Sequence, residues 1–97
     1  MHVINKRALG KCRSQHADVA DALKEWRAEV RAATWTSPND IRERYTNASI
    51  LKGDRVIFRI KGNKYRLIAQ INYSKGVVRI RFVGTHEQYD RINAETV

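Results

Sequence analysis

From Asn5 to Tyr45 apolar residues recur at the three- and four-residue spacing of helices. From Arg55 to Thr85 they recur at every second position, as in half-buried strands. The leading Met1-His2-Val3-Ile4 reads as a short strand, and Asn5 is placed to cap a helix running to about His16. A second helix is predicted from about Val19 to Ala33. Its Val19, Ala22, Leu23, Trp26, Val30 and Ala33 form one stripe, with Asp18 and Asp21 at the positive end and Arg31 in the last turn. Ser37-Pro38-Asn39-Asp40 combines a cap residue, a proline at the first helical position and an acid three after the cap, which predicts a short helix to about Tyr45.

Gly53-Asp54 opens the strand region. The predicted strands are Arg55–Lys61, Tyr65–Tyr73 and Val77–Thr85, joined by a two-residue hairpin turn at Gly62-Asn63 and a turn at Ser74-Lys75-Gly76. Alternation puts Val56, Phe58, Ile60, Leu67, Ala69, Ile71, Val78, Ile80 and Phe82 on one face, to receive the helices. Trp26 belongs to that core, whereas Trp35 fits either the core or a stacking platform. His86 to about Ile92 suits one or two closing helical turns. The expectation is a single α+β domain over 1–97: two N-terminal helices packed on a mainly antiparallel sheet of about four strands, with a short C-terminal helical turn.

Charge changes this picture. Between Arg55 and Val83 stand eight basic residues and no acid: Arg55, Arg59, Lys61, Lys64, Arg66, Lys75, Arg79 and Arg81. Alternation points Arg59, Lys61, Arg66, Gln70, Arg79 and Arg81 to the face opposite the helices. An ordinary solvated face mixes signs; this one does not, and it is expected to bind a polyanion, nucleic acid before an anionic membrane. The whole chain carries a formal net charge of +9. No segment approaches the ~18 apolar residues of a membrane span, no signal peptide precedes the fold, and Cys12 has no disulfide partner; a cytoplasmic location without membrane attachment is expected.

RNA carries its own nucleophile, the 2′-hydroxyl. Cleavage needs a proton taken there, a proton given to the leaving 5′-oxygen, and cations against the pentavalent phosphate. Thr85-His86-Glu87-Gln88-Tyr89-Asp90 follows directly on the Arg79/Arg81 strand, and Lys61, Asn63 and Lys64 occupy the hairpin. Strand geometry alone leaves open whether loop and His86 share one end of the sheet. The three histidines show no paired ligand spacing and the basic strands hold no carboxylate, so neither a metal site nor a cofactor is expected.

Met1-His2-Val3-Ile4, Lys61-Gly62-Asn63-Lys64-Tyr65-Arg66-Leu67, and Arg81-Phe82-Val83-Gly84-Thr85-His86 with Tyr89-Asp90 resemble the HigB-type toxins of the RelE-like mRNA interferases. The resemblance covers nearly the whole chain. It implies a two-helix, mainly antiparallel fold and a cytoplasmic, ribosome-dependent ribonuclease acting on mRNA on the ribosome. It also implies a cognate HigA-like antitoxin with a helix-turn-helix domain. Carried onto these residues, it makes His86 a general acid or base and Tyr89 its helper or a stacking ring. Arg66, Arg79 and Arg81 would then hold the scissile phosphate, and Lys61, Asn63 and Lys64 the flanking RNA; Arg59, by its facing on the strand, is expected to join them. Two competing readings remain: a non-catalytic RNA-binding or ribosome-associated protein, and a DNA-binding regulator. The second is disfavoured because no helix presents a basic recognition face. The first is disfavoured because Tyr65 and Tyr73, the strand aromatics, belong to the core side.

Overall fold

The computed structural model covers residues 1–97. The chain forms β1 (His2–Ile4), α1 (Arg7–Gln15), a 3-10 turn at Ala17–Val19, α2 (Ala20–Ala32), α3 (Pro38–Arg44), β2 (Ser49–Leu51), β3 (Arg55–Ile60), β4 (Tyr65–Asn72), β5 (Val77–Thr85) and α4 (His86–Tyr89). The sheet runs β1-β5-β4-β3-β2, with β1 parallel to β5 and the other neighbours antiparallel. It has five strands rather than about four. The added one, β2, is three residues long, too short to show alternation, and pairs with Arg55, Val56 and Ile57 across the turn that Gly53 and Asp54 make in left-handed conformation (φ 73° and 60°). No helix is long and apolar enough to cross a membrane.

The helices cover one face of the sheet as the stripes predict. Leu9 and Cys12 of α1 and Leu23, Trp26 and Val30 of α2 join Val56, Phe58, Leu67, Ala69, Val78 and Ile80 in one buried cluster. Trp35 belongs there too: it is buried and stacks on Phe58, 6.1 Å between centroids, while Trp26 meets the same ring edge-on at 5.3 Å. Such pairs add roughly 0.5–1.5 kcal/mol beyond the area they bury. Asn5 does not cap α1. It sits at φ 66°, and its Nδ2 donates to the Ile80 carbonyl at 2.8 Å, tying the end of β1 to β5. At α3, Ser37 makes no side-chain cap bond; Asp40 Oδ2 instead accepts from the Thr36 amide (2.8 Å) and hydroxyl (3.0 Å).

One irregularity resets the alternation. Ile68 pairs with Phe82 but Ala69 pairs with Ile80, so Arg81 is an unmatched bulge residue. An extra residue reverses which side every later side chain faces. Phe82 therefore joins Ile57 and Ile68 on the face away from the helices, not the core face, and Val83 packs on the core. That outer face is also not open along its length. Ile57 is 4 % exposed and Ile68 fully buried, and the chain after α4 returns to this side of the molecule at Arg55 and Arg81. Arg55 Nη1 donates to the Ala94 carbonyl (3.2 Å) and to a main-chain oxygen of the last residue, Val97 (2.7 Å), and Arg81 Nε to the same Val97 oxygen (3.1 Å).

Candidate active site

The β3–β4 turn is longer than a two-residue hairpin. The strands part at the Ile60–Tyr65 pair, so Lys61 belongs to the loop and not to β3. Lys61, Gly62 and Asn63 all have positive φ (53°, 60° and 76°), a run in which a lysine is unusual and asparagine more readily accommodated. This twist divides the loop. Lys61 Nζ donates to the Asp18 carbonyl (2.6 Å) and Lys64 Nζ to Asp18 Oδ2 (2.6 Å), both toward the junction of α1 and α2. Asn63 goes the other way, and its Oδ1 accepts from Arg66 Nε at 2.8 Å.

Asp18 gathers a third donor, the Tyr65 hydroxyl, at 2.5 Å. The bonds from Lys64 and then Tyr65 hold its carboxyl well below the usual range. The same bond, with burial second, pushes the Tyr65 hydroxyl up to about 12. Two of the basic residues counted on the strand region are thus neutralised on the helix side.

Arg66 is held differently. It is 7 % exposed, and its guanidinium lies 4.8 Å from the centroid of the Tyr89 ring. Asn63 takes Nε, and neither terminal nitrogen has a protein acceptor. Across the sheet its neighbours are Arg59 on β3 and Gly84 on β5. Like charges paired across strands repel, and an anion between them relieves that repulsion. Arg59 Nη1 is anchored by Ser49 Oγ at 2.8 Å and by the Asn47 carbonyl.

The short helix α4 completes this corner. Thr85 Oγ1 accepts from the Gln88 amide (3.2 Å) while Gln88 Oε1 accepts from the Thr85 amide (2.9 Å), a reciprocal cap that fixes the helix start. Gly84 makes room for it: a Cβ there would lie 2.6 Å from Gln88 Oε1 and 2.8 Å from the tip of Phe82. The His86 amide donates to the Lys64 carbonyl at 3.1 Å, so the hairpin loop and His86 do share one end of the sheet. His86 Nδ1 lies 3.1 Å from Asp90 Oδ2, one turn on, with both side chains about half exposed. A carboxylate at Nδ1 favours the tautomer that leaves Nε2 free to accept a proton.

The corner therefore brings together Arg66, Asn63, His86 and Tyr89, with Arg59 alongside. Lys61 and Lys64 reach the same end but are turned to Asp18. Arg79 does not reach it. It pairs with Gln70 in the row that holds Arg55, four residues down β4, about 13 Å at ~3.3 Å per residue, where it lines a separate hollow of about 590 Å³. Arg81 leans on Val97 beside Arg55. Sequence reasoning gave Asp90 no role; its spacing four residues after His86 on a helical turn is the signal that finds it. Nowhere do three His, Cys, Asp or Glu side chains converge as metal ligands.

With this geometry in view, two similarities bear on the chain. A family model described as HigB_toxin, the RelE-like toxic component of a toxin–antitoxin system, matches residues 19–92. The mRNA interferase HigB of Escherichia coli O6:H1 (strain CFT073) is 23% identical over 94 residues, which is 95% of this chain and 91% of that protein.

Proposed function

The chain belongs to the HigB toxin family, the RelE-like toxic components of toxin–antitoxin systems, and on that premise we propose that it is an endoribonuclease cleaving mRNA on the ribosome. The observation that carries this reading is Arg66. Its guanidinium is nearly buried, fixed at Nε by Asn63 and over the Tyr89 ring, with both terminal nitrogens unpaired, and Tyr89 stands on the same short helix as the His86–Asp90 pair. A planar donor fork held rigidly suits a phosphate whose charge grows in the transition state.

In the proposed reaction His86 Nε2 exchanges the protons. A base removes the 2′-hydroxyl proton, O2′ bonds to phosphorus, and the P–O5′ bond breaks as O5′ takes a proton. The products are a 2′,3′-cyclic phosphate and a 5′-hydroxyl. Asp90 orients and charge-stabilises the imidazole; Tyr89 holds Arg66 and offers its outer side to a base. Arg59, Arg79 and Arg81 serve phosphates along the strand. Lys61 and Lys64 contribute at most weak flanking contacts, because Asp18 already engages both Nζ groups. The reaction is proposed to need no metal or cofactor. The antitoxin that the family implies is proposed to be a HigA-like helix-turn-helix protein, and the toxin to work in the cytoplasm.

Primer extension on transcripts after induction, followed by purified ribosomes with a defined message, tests this reading. Cuts inside the coding region that persist in EDTA and leave 2′,3′-cyclic ends are expected. Growth arrest with intact messages, or ribosome binding without cleavage, would overturn it in favour of a non-catalytic RNA-binding protein.

A further inference from the structure

At the β1 edge of the sheet four basic residues line one hollow of about 130 Å³: His2 of β1, Lys6 at the start of α1, and Arg27 and Arg31 of α2. Met1 and Val3 complete its wall, and no carboxylate lines it. The Arg66 corner is elsewhere, because β1 pairs with the beginning of β5 whereas Arg66 lies opposite Gly84 near its end. No ion pair of the chain engages any of the four cationic side chains. Arg27 and Arg31 are one helical turn apart, a spacing at which like charges repel. Lys6 compounds the mismatch: it is the N-cap of α1, at the positive end of the helix dipole, where a cation is disfavoured and an anion favoured. The dipole of α2 accounts for Arg31 in its last turn, but not for Arg27, whose Nε is buried with no acceptor. Desolvating part of a guanidinium with no counter-charge costs free energy that an anion in the hollow would offset.

We infer that this hollow is a binding site for one phosphate group, held by Arg27, Arg31, Lys6 and His2. Each guanidinium matches two phosphate oxygens, Lys6 supplies a compact charge, and His2 supplies a ring N–H. The size selects a single tetrahedral oxyanion. The hollow has room for about four waters at ~30 Å³ each, too little for a ribose and base beside the phosphate. Once bound, the anion ties together β1, the start of α1 and the second half of α2, three elements that the chain otherwise joins through Val3 and the core. Free inorganic phosphate and a backbone phosphate of an RNA strand running past the β1 edge both supply this group. The site stands apart from the Arg66 corner and does not depend on the RNA-cleaving reading of it.

An amide NMR titration of the whole chain with inorganic phosphate, against chloride at equal ionic strength, tests the site. Saturable shifts at the Val3, Lys6, Arg27 and Arg31 amides are expected, separate from any at Arg66 and His86. Arg31→Gln and Lys6→Gln, both at exposed positions outside the core, should each weaken that binding roughly tenfold or more, the loss of one charge-assisted hydrogen bond. Lys11→Gln removes the same charge from an exposed position of α1 outside the hollow and should leave it unchanged. The same variants are then titrated with a single-stranded RNA oligonucleotide carrying a 2′-O-methyl group at every position, which cannot be cut. If RNA supplies the phosphate, Arg31→Gln lowers the salt slope by about 0.7, one contact on a single strand, and Lys11→Gln does not. If free phosphate is the ligand, the variants bind RNA alike while phosphate binding falls in Arg31→Gln and Lys6→Gln. Phosphate and RNA shifts confined to the Arg66 corner, or equal losses in Lys11→Gln and Arg31→Gln with both ligands, overturn the site and leave the nuclease reading standing.

Discussion

The β3–β4 loop feeds two corners of the molecule that differ in what they do with positive charge. On the helix side, Lys61 and Lys64 meet Asp18, whose carboxylate also accepts from Tyr65. On the outer side, Arg66 meets a neutral amide and an aromatic ring and keeps two nitrogens unpaired. Three cations within six residues thus divide into two engaged by a carboxylate residue and one whose terminal nitrogens have no acceptor. Charge density says where a polyanion can be drawn; only the acceptors already present say which cations remain to bind it.

The strongest way to break this contrast is at the histidine that opens α4. Replacing His86 by alanine should slow single-turnover cleavage by roughly 10²–10⁴-fold while ribosome binding stays near wild type. Full activity would move proton transfer to another group. Arg66→Lys keeps the charge but loses the planar fork, and a loss of about 10²–10³-fold in the cleavage step is expected, as for one transition-state donor. If Lys64→Ala costs as much in the same assay, the division between the corners fails; the expectation is within about threefold, with a salt slope shallower by less than 0.7.

The Asp18 corner should show itself in stability instead. Asp18's carboxyl titrates lower in the folded chain than unfolded, so its contribution is present above about pH 4, the unfolded value, and fades as pH falls below it. Tyr65 is raised to about 12, so the bond it shares with Asp18 is intact below about pH 10 and is lost as pH rises toward 12. Thermal melts of Asp18→Asn across that range should lie below wild type near neutrality and converge with it at the acid end. A constant offset at every pH would mean the carboxylate is incidental.

The smallest effect expected is at Gly84. Alanine there must push Gln88 Oε1 off the Thr85 amide or shift the Phe82 ring. Loosening α4 should lower cleavage several-fold through His86 and Tyr89, with a cap loss of ~1 kcal/mol read in the melt. An unchanged rate would show that the cap does not position the histidine.

Much of this arrangement was legible in the residues. The stripe of Leu23, Trp26 and Val30 and the alternation through β3 and β4 define the two layers, because helix and strand periods are local properties of the chain. Asn63, Arg66, His86 and Tyr89 were all singled out, and the antiparallel register that brings them together follows from the turns between strands. What escaped was non-local. The acceptor of Lys64 lies 46 residues away and that of Arg55 as many as 42, and no spacing rule announces either. Asn5 looked like a cap because asparagine is good at both capping and left-handed backbone; only the carbonyl of Ile80, 75 residues on, decides between them. Phe82 was assigned to the wrong side because alternation was continued through Arg81.

That last residue sets a length, not only a charge. Since Arg81 has no partner on β4, it acts as a spacer, and the distance from Ile80 to the start of α4 is one residue longer than the pairing requires. Deleting Arg81 would leave every one of the β4–β5 pairs in place: Ile80 already lies opposite Ala69 and Phe82 opposite Ile68, so the strand would close into regular alternation and Thr85 would still meet Tyr65. The spacer therefore gives β5 local slack, and a one-residue deletion here is expected to be tolerated where a deletion within the paired segments, which shifts the register, is not.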